Sequence, residues 1–299
     1  MIDEVIVLGG GAIGSVYAAK LAAQHPVTLI ARQAHADAIN RDGLRVTGRE
    51  PATHRIRAAT EVDRIPAGTL ILLTTKVTHS RDAIAPIAGK VRDDTVILCV
   101  QNGLGSEAIV KEAVNRRCLV LRAITQFGAI YHEPGVVDFT AAGATLIEPS
   151  ARSAEIAALL SGVGLDGRVS DNIQREIWRK LIFNCVINPI TAIVGCEVGG
   201  IADPKLDPWK QLVVDECLRV AAADGVTFDI DFVAIIAEVF GSARTIASMR
   251  QDLLKGKQTE IDHMNGAVVA LGHRFGIDCP VNAALVATIK AMEGRGVAQ

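Results

Sequence analysis

The chain contains no Cys-x-x-Cys pair. Its six cysteines (Cys99, Cys118, Cys185, Cys196, Cys217 and Cys279) stand far apart in mostly apolar surroundings and read as reduced core thiols. The histidines, His25, His35, His54, His79, His132, His263 and His273, show no ligand spacing, so no metal is expected. Lys and Arg are scattered rather than clustered and the formal net charge is −2, which argues against a nucleic-acid face. No apolar run reaches the roughly 20 residues of a membrane span. The first residues, MIDEVIVLGG, put acids ahead of the apolar run, unlike the basic start and cleavage site of a signal peptide. A cytoplasmic protein is therefore expected. Internal repeats and low-complexity segments are also missing. What remains is 299 residues with 49% hydrophobic content, enough to build a core and long enough for two domains.

The N-terminal half has the pattern of a dinucleotide-binding domain. Val5 to Leu8 is a short apolar strand, followed by Gly9-Gly10-Gly11-Ala12-Ile13-Gly14 and a helix from Ser15 to Ala23. In that context Gly9 permits a tight turn, Gly11 lets the backbone close on a pyrophosphate, and Gly14 lets helix and strand pack closely. Free N–H groups and the helix dipole then face the phosphates. A second strand, Val27 to Ala31, ends at Arg32, where an acid would accept from the ribose 2′-hydroxyl of NAD. A guanidinium suits a 2′-phosphate instead, so NADP(H) is expected unless Arg32 is an ordinary surface cation.

Two further apolar strands, Thr69 to Thr75 and Thr95 to Val100, end at Lys76 and at Gln101-Asn102-Gly103. Ligands of open parallel sheets bind beyond the carboxyl ends of strands, which puts Lys76 and Asn102 at the crevice. Either residue is also compatible with a plain surface or turn position. Leu119 to Thr125 is one more strand, and residues 135–148 alternate around Ala141-Ala142-Gly143 as a β-hairpin would. The expected architecture is α/β: a Rossmann-type, doubly wound, mainly parallel sheet over residues 1–170, followed by an all-α domain over residues 171–299.

From Asn172 onward helical periodicity takes over, in segments at 172–196, 208–224, 230–254, 259–275 and 281–293. The first holds Trp178 to Ile193, where Lys180, Asn184 and Asn188 stand four residues apart. At about 100° per residue each step of four drifts by about 40°, so the three share one stripe of an otherwise apolar helix. Two readings stand side by side: the stripe lines a wet cavity, or the lysine snorkels to the surface beside two amides that satisfy each other. Pro189 removes a backbone donor directly after Asn188 and should kink the helix there. Residues 242–254 bring Ser248, Gln251 and Asp252 along consecutive turns of a helix. Thr259 and Asp262 then form a capping box that places Glu260 in a helical first turn, where the dipole favours a carboxylate whether or not it has a catalytic task.

Taken together, GGGAIG near the N-terminus, TTK at 74–76, QNG at 101–103, WRKLIFNCVINPITAI at 178–193, SMRQD at 248–252 and TEIDHMNG at 259–266 resemble the ketopantoate reductase (2-dehydropantoate 2-reductase) family, from about residue 2 to about residue 290. The resemblance implies a Rossmann domain joined to a helical one, and NADPH-dependent reduction of 2-dehydropantoate to (R)-pantoate. It implies Lys180 as proton donor and Asn184, Asn188 and Ser248 as residues that hold substrate, while Asn102 contacts the cofactor and positions substrate. It also carries Gly9 to Gly14, Arg32, Lys76, Ala129 and Glu260 to cofactor-side or active-site positions. The chain departs from the family pattern where Val198 and Thr245 stand in place of asparagines. Two alternatives follow: a relative acting on another 2-oxo acid, and a catalytically silent NADP-binding protein. The helical half has apolar stripes enough for a homodimer, which core packing explains equally well.

Overall fold

Val5 to Leu8 are apolar on successive positions, and successive strand residues point to opposite faces, so both faces of this strand must be covered. In the computed structural model, which describes residues 1–294, β1 (Glu4–Leu8) lies in mid-sheet between β2 (Val27–Ile30) and β6 (Thr69–Leu73), parallel to both. The sheet has eight strands. From one edge they run β12 (Gly167–Val169), β11 (Thr145–Ile147), β8 (Leu119–Thr125), β7 (Val96–Cys99), β6, β1, β2 and β5 (Arg57–Ala59). Neighbours pair in parallel except β8 with β11. Val5, Val7, Leu70 and Leu72 pack on one face with α1 (Ala12–Leu21), α2 (Gln33–Asp42) and α5 (Ser153–Gly162). Ile6, Leu8, Ile71 and Leu73 pack on the other with α3 (Ser80–Ile84) and α4 (Ser106–Ala113). Each such fully buried aliphatic side chain contributes about 1.5–3 kcal/mol, which is how a run of five residues can specify a central strand.

A second, four-stranded sheet lies in the same unit, in the order β4 (Ala52–His54), β3 (Leu44–Gly48), β10 (Val136–Ala141), β9 (Gly128–Glu133). It corrects the hairpin expected over residues 135–148. The reversal occurs earlier, between β9 and β10, which pair antiparallel around Pro134-Gly135. Ala142 and Gly143 instead carry the chain from this sheet to β11 in the large one. Alternation of period two is the same whichever partner a strand takes, so the pattern located the strands without identifying their neighbours.

Buried polar groups fix α1 and α2 on this scaffold. Tyr17 of α1 bonds Thr125 and Thr145 at 2.7 and 2.8 Å, and burial pushes its hydroxyl up to about 12. His35 of α2 is buried, with its Nδ1 accepting from the Gly135 N–H at 2.8 Å and its Nε2 placed 3.1 Å from Ser15 Oγ. Because an N–H can only donate, Nδ1 is the acceptor and Nε2 carries the hydrogen, so the neutral ring ties α1, α2 and the β9–β10 turn together.

Chain contacts divide the molecule into two units, residues 1–101 with 105–173, and residues 102–104 with the chain from 174 onward. The second unit is helical: α6 (Ile173–Val194), α7 (Asp207–Ala223), α8 (Phe232–Phe240), α9 (Ser248–Leu254), α10 (Asn265–Arg274) and α11 (Pro280–Met292). Contrary to expectation, α6 is by length and composition long and apolar enough to cross a bilayer. Its apolar residues are accounted for within the unit, since Trp178, Leu181, Ile182, Val186 and Ile190 form the middle of the helical core. Two segments expected as continuous helices are broken. Between α8 and α9 the chain pairs with the start of a 3₁₀ turn, Val198–Ala202, with Val198 N donating to Thr245 O at 2.8 Å and Gly199 N to Ala243 O at 2.9 Å, and these bonds replace helical ones over residues 241–247. The segment 259–275 is interrupted at Met264 (φ −112°, ψ −99°), with a 3₁₀ turn, Ile261–His263, before it and α10 after it.

Burial holds His35, His54 and His263 below the ordinary histidine value of 6.5; Lys20 adds to the effect at His54, and Asp262 opposes it at His263. A histidine kept neutral in the folded state binds fewer protons there than in the unfolded chain, so its contribution is complete above about pH 6.5 and is lost as pH falls through the lowered value. Melting temperature is expected to fall steadily from pH 7 to pH 5, and to fall less in His35→Gln; equal slopes in the two proteins would remove His35 from this role.

Candidate active site

In the first unit the glycine turn is built by contact rather than by freedom alone. Gly9 has φ +126°, and a Cβ on Gly14 would lie 2.1 Å from the Gly9 carbonyl oxygen and 2.5 Å from Thr74 Oγ1. No other residue fits at Gly14, which is why α1 can begin directly against the end of β1. Thr74 Oγ1 donates to the Gly9 carbonyl at 2.7 Å, and Gly9 and Gly10 donate back to Ile30 at 3.1 and 2.7 Å. The turn's own polar groups are thus occupied. The first N–H groups of α1, at Ala12 and Ile13, lie beyond the reach of intrahelical acceptors, and no side chain among the described residues caps them at Gly11. Around Gly11 the space is open. An anion is the natural partner for such a helix start, so the cradle fits a dinucleotide pyrophosphate.

Arg32 is exposed at the N-cap of α2, immediately after β2 and next to Ala31, which lies against Gly10. Lys76 is half-buried two residues beyond Thr74, at the start of the 3₁₀ turn Val77–His79. Ala129 lies half-buried in β9 opposite Phe139. Thr74 and Gln101 stand in the TTK and QNG motifs, but no role follows for either of them from the sequence. Gln101 is buried, and its amide donates to Thr75 O and Ser80 Oγ, each at 2.8 Å, which fixes the ends of β6 and β7 together. A sequence shows neither contact, because both depend on which strand ends become neighbours.

In the second unit Lys180 and Asn184 are half-buried on α6 and Asn188 is buried, all on the stripe expected from their spacing. Trp178 is fully enclosed with its Nε1 donating to Asp224 at 2.8 Å, and Phe183 makes edge contacts with Phe232 and Phe240. These anchors fix the rotation of α6 about its axis. Asn188 Nδ2 reaches Met264 Sδ at 3.4 Å. Ser248 is the first residue of α9 and is exposed, between the buried Ala247 and Met249.

Glu260 is half-buried but stands ahead of a 3₁₀ turn, not within the first turn of an α-helix, which corrects the capping-box expectation. Thr259 donates its N–H and its hydroxyl to Glu293 at 2.9 and 2.7 Å, and Asp262 pairs with Lys290 at 2.8 Å. The Thr259 oxygen also accepts from the Ile261 N–H at 3.2 Å, so it caps the 3₁₀ turn, while Lys290 takes the Asp262 carboxylate that a box would have turned back to the Thr259 N–H. Asn102 approaches the same turn. The next residue, Gly103, has φ +80°, and a Cβ there would lie 2.3 Å from the His263 carbonyl oxygen, while Leu104 packs into the helical core. The loop containing Asn102, the turn after Glu260 and the Asn188 end of the α6 stripe therefore converge on residues 260–264. Among the described residues no group of three His, Cys, Asp or Glu side chains is placed to hold a metal ion.

Residues 5–152 match the family model for ketopantoate reductase PanE/ApbA, and residues 172–293 match that for its C-terminal domain. A 2-dehydropantoate 2-reductase of Pyrococcus horikoshii is 36% identical over 98% of each chain. The crystal structure of a PanE/ApbA family ketopantoate reductase from Ralstonia eutropha superposes with a TM-score of 0.90 at 31% identity, covering 98% of this chain and 99% of that one. A D-mandelate dehydrogenase, solved with NADH and anilino(oxo)acetate, superposes with a TM-score of 0.91 at 26% identity over 99% of this chain and all of the other. Two family models that between them span most of the sequence, and a relative similar along its whole length, establish that the chain belongs to the ketopantoate reductase family.

Proposed function

We propose that the protein reduces 2-dehydropantoate to (R)-pantoate with NADPH, a step of pantothenate biosynthesis, in the cytoplasm. The observation that carries this reading is the α6 stripe: an ammonium and two amides in line on a helix that supplies the middle of the helical core. Together they supply what reduction of a 2-oxo acid needs, a cation for the ketone oxygen and neutral hydrogen bonds for the carboxylate.

When bound, the cofactor supplies a hydride to the ketone carbon. The chain's own residues do the rest. The N–H groups of Ala12 and Ile13 at the start of α1 hold the pyrophosphate, and Arg32 and Lys76 bind on the cofactor side, with the Arg32 guanidinium matched to a 2′-phosphate. Lys180 stabilises the negative charge that develops on the substrate oxygen and delivers a proton to it. Asn184, Asn188, Asn102 and Ser248 offer neutral hydrogen bonds to the substrate carboxylate and hydroxyl. The Glu260 carboxylate holds the ammonium in place, and Ala129 borders the cofactor.

A second reading, a reductase of the same family acting on another 2-oxo acid, is favoured by one observation. The two positions that depart from the family pattern, Val198 and Thr245, are joined by a backbone hydrogen bond of 2.8 Å, so both differences fall at one place in the fold. The similarity to a D-mandelate dehydrogenase agrees with it. A panel of 2-oxo acids with NADPH, followed by absorbance at 340 nm, separates the two: highest kcat/KM on 2-dehydropantoate supports the first, and a preference for an aromatic or other 2-oxo acid supports the second.

Lys180→Ala is expected to lower kcat by about 10²–10⁴-fold, the usual loss of a general acid, with NADPH affinity unchanged in a binding titration. Undiminished turnover would take the proton-donor role from Lys180. Arg32→Ala is expected to raise KM for NADPH by roughly 10–100-fold, the equivalent of one lost charged hydrogen bond, while NADH kinetics stay the same. Equal use of NADH and NADPH by the unaltered protein would contradict the cofactor assignment.

A further inference from the structure

Pro189 lies inside α6, and having no N–H it leaves the carbonyl four residues earlier, that of Cys185, without its helical donor. Cys185 is fully enclosed, so water does not replace that donor. The missing hydrogen bond comes from another helix. Asn265, the first residue of α10 and itself fully enclosed, donates from Nδ2 to the Cys185 carbonyl at 3.0 Å.

The orientation of that amide is dictated from a distance. Asn265 Nδ2 also donates to Asn282 Oδ1 at 2.9 Å, and Asn282 presents its oxygen this way because its own Nδ2 donates to Glu216 Oε2 at 2.7 Å. A carboxylate can only accept, so neither amide can turn over without setting two acceptors against each other. Glu216, on α7, is in turn fixed by the backbone N–H groups of Val281 and Asn282 at 2.8 and 2.9 Å, at the start of α11 where the helix dipole favours a negative charge. A run of obligatory donors and acceptors thus reaches from α11 and α7 to the interrupted turn of α6. That turn holds the stripe: Asn188 directly precedes Pro189, Asn184 directly precedes Cys185, and Met264, next to Asn265, contacts the Asn188 amide.

We propose that Asn265 is a positioning residue of this enzyme: by donating to the carbonyl that Pro189 leaves unpaired, it fixes the turn of α6 that presents Asn184 and Asn188. The proposal rests on the reading of that stripe as the substrate-binding face. Asn265 is enclosed and acts through α6, so its effect falls on the 2-oxo acid and not on the nucleotide.

The test is a cycle of Asn265→Ala, Pro189→Ala and the double variant, assayed with 2-dehydropantoate and NADPH and melted in parallel. Asn265→Ala is expected to lower kcat/KM for the 2-oxo acid by roughly 10–100-fold, as small misplacements of binding groups do, with KM for NADPH unchanged. Pro189→Ala restores a backbone N–H facing Cys185, so the double variant is expected to recover most of both the activity and the melting temperature lost in Asn265→Ala. A double variant no better than Asn265→Ala, or losses that simply add, would overturn the proposal. So would an Asn265→Ala protein that melts early but keeps its kcat/KM, since that marks a purely structural residue. If Asn265→Ala does not fold, recovery of folding in the double variant supports the exchange of donors and its absence refutes it. If the unaltered protein leaves 2-dehydropantoate untouched, the functional reading fails by itself, and the same cycle is read on the 2-oxo acid that the panel identifies.

Discussion

The contact between Gly14 and the Gly9 carbonyl is the constraint on which the nucleotide-binding unit depends. Helix α1 starts against the end of β1 at a separation that no side chain at position 14 would allow. Thr74 closes the arrangement from the neighbouring strand by donating to that same carbonyl. With Gly9 and Gly10 both donating to Ile30, the turn has used its own polar groups, and the N–H groups at the helix start face open space beside Gly11. The chemistry of this unit is therefore mostly backbone chemistry.

The helical unit solves a different problem, since it must keep polar groups in the middle of its longest helix, which also forms the middle of its core. Large aromatic contacts at Trp178 and Phe183 fix how α6 is rotated, and the remaining stripe carries Lys180, Asn184 and Asn188. Pro189 then interrupts the helix one residue past the stripe. The hydrogen bond lost there is replaced by Asn265 from the segment whose preceding turn receives Gly103. Residues 259–266, which the motif TEIDHMNG spans, thereby join the Asn102 loop to the end of α6, a physical reason for so compact a motif beyond any contact with ligand.

Much of this was legible in the sequence wherever one local pattern admits one structure. The glycine turn was readable because a strand with four apolar residues in a row, a tight turn and a helix leave little choice of fold, and the α6 stripe followed from spacing alone. What misled was pattern with two possible partners. Alternation over residues 135–148 gave strands but not their sheets, and the strands proved to belong to different ones. Periodicity over 230–254 concealed the break made by Val198 and Gly199 pairing with the chain before α9. Thr259 and Asp262 had the spacing of a capping box, yet Glu293 and Lys290 took both groups. The parts played by His35, Thr74, Gln101 and Asn265 were not legible, although the last three lie within motifs, because each acts on a residue far away in the chain.

A titration of NADPH into Gly14→Ala tests most directly whether the backbone at the start of α1 carries the nucleotide. The added methyl must displace either the Gly9 carbonyl or the helix. The dissociation constant is expected to rise by at least about tenfold, ~1.4 kcal/mol, with far-ultraviolet circular dichroism unchanged. A folded Gly14→Ala protein that binds NADPH as tightly as the unaltered chain would contradict that role.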